Sequence, residues 1–160
     1  MRSSLFALLG LRVFTHNVSP YFGQWQFIVE HGSCEEIIGL FNSVLSAVSY
    51  DKYPINNESV LRALLQLYLL GKDHDVRVEQ HNSKGRSDLI VNFPKRCVVI
   101  ELKFSSDGKN SKSLLKEAAN QIKDQEYGTE NLGERELIKI AGVFDASKDK
   151  RKLTVFQTVS

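Results

Sequence analysis

The sequence predicts an α/β domain, a mixed central sheet flanked by helices on both faces. Three observations carry this expectation. The stretch from Gly85 to Lys103 reads as two apolar strands joined by the turn signal Pro94-Lys95-Arg96. Two helical patterns precede that hairpin, and a third separates it from a last pair of apolar strands. A helix between strands allows parallel pairing, so hairpin and crossover together give a mixed sheet.

The chain of 160 residues is long enough to bury a substantial single core. Its net charge of only +2 gives no overall attraction to a polyanion, so a nucleic-acid surface would have to come from local clustering. The two cysteines, Cys34 and Cys97, lie far apart and in no C-x-x-C pattern. They fit buried thiols in a reducing cytoplasm better than a disulfide scaffold or a zinc site. The four histidines are scattered, with no pair at helical ligand spacing. There is no Gly-x-x-x-x-Gly-Lys-Ser/Thr phosphate loop and no internal repeat.

Taken in order, Leu5-Phe6-Ala7-Leu8-Leu9-Gly10-Leu11 is too short to cross a bilayer, and no clear small-residue cleavage site follows it. Residues 1–32 are expected to be an N-terminal accessory segment, packed on the domain or left from an upstream one; residues 33–160 form the domain proper. The aromatics Phe14, Tyr21, Phe22, Trp25 and Phe27 suit core packing better than base stacking, and a strand is expected at Trp25–Glu30. Ser33-Cys34-Glu35-Glu36 is a capping box that opens a helix ending near Tyr50. Asn56 or Asn57 caps a second helix, stopped by Gly71 and apolar on nearly all sides, as for a helix buried in mid-fold. Val76–Gln80 reads as a strand and 81–86 as a polar loop. A third helix spans about Ser113–Tyr127, followed by strands at Leu137–Phe144 and Leu153–Val159.

The chemistry gathers on the hairpin. Side chains alternate along a strand, so Val99, Glu101 and Lys103 share one face, while Val98, Ile100, Leu102 and Phe104 share a purely apolar one. With Phe93 opposite Val98, Asp88 falls opposite Lys103 and diagonal to Glu101. Two carboxylates and an ammonium then lie on one exposed face, within roughly 4–8 Å of one another. Such a pair of hard oxygen ligands suits Mg²⁺ or Mn²⁺, and a nearby lysine can orient water or stabilise developing charge. The simpler alternative is a cross-strand salt bridge on a solvated face. Against it, the acid and the lysine interrupt an otherwise apolar strand.

Ser87-Asp88 followed by Glu101-Leu102-Lys103 resembles the D…E-x-K core of the PD-(D/E)XK nuclease superfamily, with Ser87 where the name-giving proline stands. More narrowly, Gly85-Arg86-Ser87-Asp88, Ile100-Glu101-Leu102-Lys103, Ala119-Asn120-Gln121-Ile122 with Tyr127, and Ala141-Gly142-Val143-Phe144-Asp145 are similar to the nuclease-like domain at the C-terminus of predicted AAA-ATPase-like bacterial proteins. The resemblance spans about residues 33 to 157. It implies a restriction-endonuclease-like fold and metal-dependent cleavage of phosphodiesters, in DNA with RNA left open. Asp88 and Glu101 would be the metal ligands, with the Leu102 carbonyl completing the shell and Lys103 as the catalytic lysine. Glu58, in the first turn of the second helix, would be an auxiliary carboxylate; its alternative role is to favour the helix macrodipole. Gln121 would hold the scissile phosphate or orient Lys103. Glu79 matches a position where that family tends to carry Glu. Homodimerisation and an ATPase partner are further implications, and a catalytically silent module binding nucleic acid or a protein is the alternative function. Glu58 and Gln121 are expected to flank the patch, within about 15 Å. The lysines Lys109, Lys112, Lys116 and Lys123 are a solvated row or, beside such a site, a track for a phosphate backbone.

Overall fold

In the computed structural model, the described residues are 21–70, 75–78, 81–82, 85–86, 89–124 and 132–160. Four helices and seven strands occur among them: α1 (Tyr21–His31), α2 (Cys34–Ser46), α3 (Glu58–Leu70), β1 (Asp75–Val78), β2 (His81–Asn82), β3 (Gly85–Arg86), β4 (Leu89–Asn92), β5 (Arg96–Ser105), α4 (Ser111–Asp124), β6 (Glu136–Asp145) and β7 (Lys152–Thr158). The main sheet has the order β1-β4-β5-β6-β7, and β2 pairs with β3 in a separate ribbon. Pairing is antiparallel except between β5 and β6, which run parallel and are joined through α4. The expected mixed sheet with helices on both faces is the fold observed.

The two faces differ in depth. Leu89, Val91, Val98, Ile100, Leu102, Ile140 and Phe144 point to the side on which α1, α2 and α3 pack, and they form the large core. The other face is covered by α4, where Ala118, Ala119 and Ile122 meet Ala141 and Val159. Beyond it, Ile90, Cys97 and Val99 pack beside Leu132 and Leu137. Both cysteines are buried free thiols.

Local rules explain most boundaries. Ser33 Oγ accepts from the Glu36 amide at 3.3 Å while the Ser33 amide donates to Glu36 Oε2 at 2.8 Å, so the capping box forms as expected. Asn57 Oδ1 accepts from the Val60 amide at 2.9 Å and starts α3. Gly71, expected to stop that helix, lies outside the described residues. The expected polar loop at 81–86 contains the β2–β3 ribbon instead.

Three expectations need correction. Residues 25–30 are helical, not a strand. Trp25, Ile28 and Val29 are buried at the i, i+3, i+4 spacing of one helix face, and aromatic content had masked that period. The helix α3 is buried on one side only, through Leu61, Leu65, Tyr68 and Leu69; Ala63 is exposed and Leu70 is 42% exposed. The hairpin register differs by two residues. Val91, not Phe93, lies opposite Val98, because the Phe93 amide donates to the Arg96 carbonyl at 2.7 Å across the two-residue turn Pro94-Lys95. A two-residue shift keeps every side chain on its expected face.

Two polar side chains tie the layers together. Arg96 starts β5 with its guanidinium buried. It donates to Gly32 O at 2.9 Å, Val29 O at 3.4 Å and Glu136 Oε2 at 2.8 Å, joining carbonyls at the end of α1 to the start of β6. Asn42 on α2 brackets Leu153 on β7, donating to its carbonyl at 3.0 Å and accepting from its amide at 2.7 Å. Replacing Asn42 with Ala removes both bonds from a half-buried backbone site. The expected loss is about 1–3 kcal/mol, read as a lower urea midpoint at unchanged slope. A midpoint equal to that of the native chain would show that water replaces the amide without cost.

Candidate active site

Glu101 and Lys103 stand on the α4 face of β5, each opposite a small or aliphatic residue of β6: Ala141 for Glu101 and Val143 for Lys103. The alanines of α4 and β6 let the helix lie close to the sheet, which brings its side chains over the strand. Lys103 Nζ donates to Gln121 Oε1 at 3.0 Å. It forms ion pairs with Glu101 Oε1 and with Glu117 Oε1, each at 3.6 Å. The Glu101 side chain is 1% exposed, that of Lys103 12% and that of Glu117 62%.

The alternation of faces was therefore legible, but the exposed patch was not. Glu101 is fully buried under α4 rather than open to water. A carboxylate taken out of water carries a large desolvation cost, offset only by close partners of opposite charge. The Lys103 ammonium is such a partner, and Gln121 fixes where it points.

The remaining expected residues are spread differently. Gln121 is half-buried on α4 and in direct contact with Lys103. Glu58 is half-buried in the first turn of α3, whose buried side belongs to the core on the opposite sheet face. The Leu102 side chain points into that same core. Asp88, Ser87, Glu79 and Tyr127 lie outside the described residues. Lys112, Lys116 and Lys123 are exposed on α4. At about 100° per residue, they fall on the flank of the helix away from Gln121 and Glu117, so the row does not border the Lys103 cluster.

Two contributors were missed. Glu117 sits one helical turn before Gln121 on the same flank, a spacing present in the sequence but hidden among the exposed charges of α4. Asp145 ends β6, paired with Ser105 at the end of β5, and is 1% exposed. It accepts from the Ser147 amide at 3.0 Å and the Ser147 hydroxyl at 2.6 Å, with Lys150 Nζ at 3.3 Å. Gly108, with φ +75°, presses its backbone against this carboxylate, and an added Cβ would collide with it. Ser105 Oγ accepts from the Gly108 amide at 3.0 Å and bonds Asn110 Oδ1 at 2.6 Å, while the Ser111 hydroxyl donates to the Gly108 carbonyl at 2.8 Å. This network fixes the loop that launches α4 and so sets where Gln121 and Glu117 arrive.

Burial alone would raise the Asp145 carboxyl. The Ser147 hydroxyl and amide and the Lys150 ammonium together outweigh it and hold the group below the usual carboxylate value. Burial, as the largest influence, pushes the Cys34 thiol up, against a weaker lowering by Thr158, which suits a structural thiol rather than a nucleophile.

Among the described residues, no group of three or more His, Cys, Asp or Glu side chains converges as a metal site. No helix among them is long and apolar enough to cross a membrane.

An α/β sheet with a parallel crossover, carrying a buried Glu-x-Lys pair met by a glutamine from the crossover helix, defines a restriction-endonuclease-like domain. The chain belongs to the PD-(D/E)XK nuclease superfamily, whose family model matches residues 56–153. That span runs from the cap of α3 into β7 and includes Asp88, Glu101, Lys103 and Gln121. Membership suggests nuclease activity on nucleic acid, and nucleases of this superfamily generally use divalent metals. A search among curated proteins finds no match.

The Asp145 network makes a prediction about pH. A carboxylate depressed in the folded state stabilises the protein above its unfolded value of about 3.9, and that stability is lost as pH falls through the folded value. Asp145→Asn is expected to lower the urea midpoint at pH 7, with the gap to the native chain narrowing at pH 3. An equal gap at both pH values would assign the loss to packing alone.

Proposed function

We propose that the protein is a metal-dependent nuclease hydrolysing phosphodiester bonds in DNA. The observation that carries this reading is the buried Glu101 carboxylate held beside a Lys103 ammonium that Gln121 aligns. A structural salt bridge gains little from being sunk under a helix. A site that must meet phosphate in a low dielectric gains strength from that burial.

Glu101 and Asp88 would hold Mg²⁺ or Mn²⁺, and the Leu102 carbonyl would complete the protein's share of the ligands. The donor set fits. It consists of hard oxygens, and one or two carboxylates with waters and substrate phosphates is the usual holding of Mg²⁺. Asp88 enters in this role by resemblance, as the residue that directly precedes Leu89 in the sequence. The ion supplies charge neutralisation and a more acidic water. Lys103 stabilises the charge that grows on the phosphoryl oxygens and orients the attacking water. Gln121 holds the ammonium at a fixed angle, so little reorganisation is needed as charge develops. Glu58 enters as an auxiliary carboxylate by resemblance.

Removing ligand and lysine should leave different traces. Asp88→Ala is expected to abolish both the rise in melting temperature with millimolar Mg²⁺ or Mn²⁺ and the nicking of supercoiled plasmid. Lys103→Ala is expected to keep the metal-dependent rise while slowing nicking by about 10²–10³-fold, the usual loss for one group that stabilises transition-state charge. Lys103 is largely buried, so this variant should also melt somewhat lower, unlike a change on a wet face. A native chain that neither nicks DNA nor gains stability with metal would remove the enzyme and leave a nuclease-like binding module.

A further inference from the structure

Among the described residues, Gln121, Glu101 and Glu117 meet the Lys103 ammonium, and they differ in how they meet solvent. Gln121 is half-buried and Glu101 fully buried, whereas the Glu117 side chain is 62% exposed at 3.6 Å from the same nitrogen. An anion approaching Lys103 from solvent therefore arrives at the place Glu117 holds. Glu117 sets a negative charge beside Lys103 on the side open to water, and that charge repels phosphate. The pair is also labile. An ion pair with one largely exposed partner contributes little and is screened by salt.

We infer that Glu117 is a displaceable stand-in for substrate, a carboxylate occupying the position beside Lys103 that a phosphate oxygen takes when nucleic acid binds. This rests on the nuclease reading for its ligand, although the contact itself does not depend on catalysis. Glu117 leaves Lys103 as the phosphate arrives and swings into water at little cost, since most of its surface is already solvated. Its function is to weaken the capture of nucleic acid at this site. Glu117 adds a second carboxylate beside the lysine when the site is empty and makes capture depend on the neutralisation a bound cation would provide. The lysines of the same helix, Lys112, Lys116 and Lys123, lie on its other flank and do not relieve this repulsion.

The test is the affinity of the full chain for a short fluorescent DNA duplex, read by anisotropy in EDTA so that no cleavage occurs. Glu117→Gln keeps the shape and removes the charge. It is expected to bind about 2–5-fold more tightly at low salt, the range for one exposed ion pair, with the gain vanishing near 1 M salt. Glu117→Asp should return the affinity towards that of the native chain. The gain should disappear when Lys103→Ala is combined with Glu117→Gln. Equal or weaker binding by Glu117→Gln, a gain that survives without Lys103, or no binding by any variant would each overturn the inference. The nuclease reading fails separately, as an absence of plasmid nicking by the native chain with Mg²⁺ or Mn²⁺, and that result leaves the binding comparison intact.

Discussion

The pairing of a buried carboxylate with a nearly buried ammonium is the constraint around which this domain is built. Glu101 lies opposite Ala141 under a helix, in surroundings that would otherwise suit an aliphatic side chain. Holding a carboxylate there draws on Lys103 at ion-pair distance, and holding Lys103 draws on groups from α4. That helix must in turn approach the sheet closely, which explains the alanines at 118, 119 and 141 in its interface. The loop before the helix is correspondingly rigid, its turns fixed by Ser105, Gly108, Asn110 and Asp145. Each of these residues appears ordinary alone. Together they deliver Gln121 to within 3.0 Å of one nitrogen atom.

The opposite face of the sheet does different work. There the large side chains of α1, α2 and α3 close over Val98, Ile100 and Leu102, so the strand that carries the charged pair is anchored by apolar packing on its other side. The alternation of β5 separates the two tasks residue by residue. Burial on the α1–α3 side gives stability, which offsets the cost of charge on the α4 side. This is a general way for a small domain to sustain a buried ionic site.

Much of this was legible in the sequence, because several signals agreed. The capping box at Ser33–Glu36, the hairpin around Pro94, the crossover helix and the two closing strands each had a local cause, and local causes transfer well to structure. What failed had causes that the side-chain pattern does not carry. The segment around Trp25 is rich in aromatics, which suits a strand, yet tertiary burial of Trp25, Ile28 and Val29 selects a helix. The hairpin register depended on one backbone bond between Phe93 and Arg96, which side-chain pattern alone does not fix. The burial of Glu101 depends on α4 lying across the sheet, and alternation along a strand cannot show what covers a face. Glu117 was hidden for a related reason. Its partner is distant in sequence, and as one exposed charge among many it carried no local mark.

The parallel pairing of β5 with β6 has a consequence for the order in which this protein comes into being. The ladder begins at Arg96 and Glu136, a separation of 40 residues that includes the crossover helix. Until the ribosome has released the chain through Asp145, β5 has one paired side and one bare edge, with a row of amides and carbonyls open to any extended peptide nearby. Glu101 and Lys103 lie along that same edge strand. During synthesis, then, the strand bearing the charged pair is also the one most exposed to wrong partners, and its late closure makes this a slow, non-local step of folding. The clamp from Asn42 to Leu153, spanning 111 residues, is made later still. It joins the first half of the domain to β7 only once Leu153 has been made.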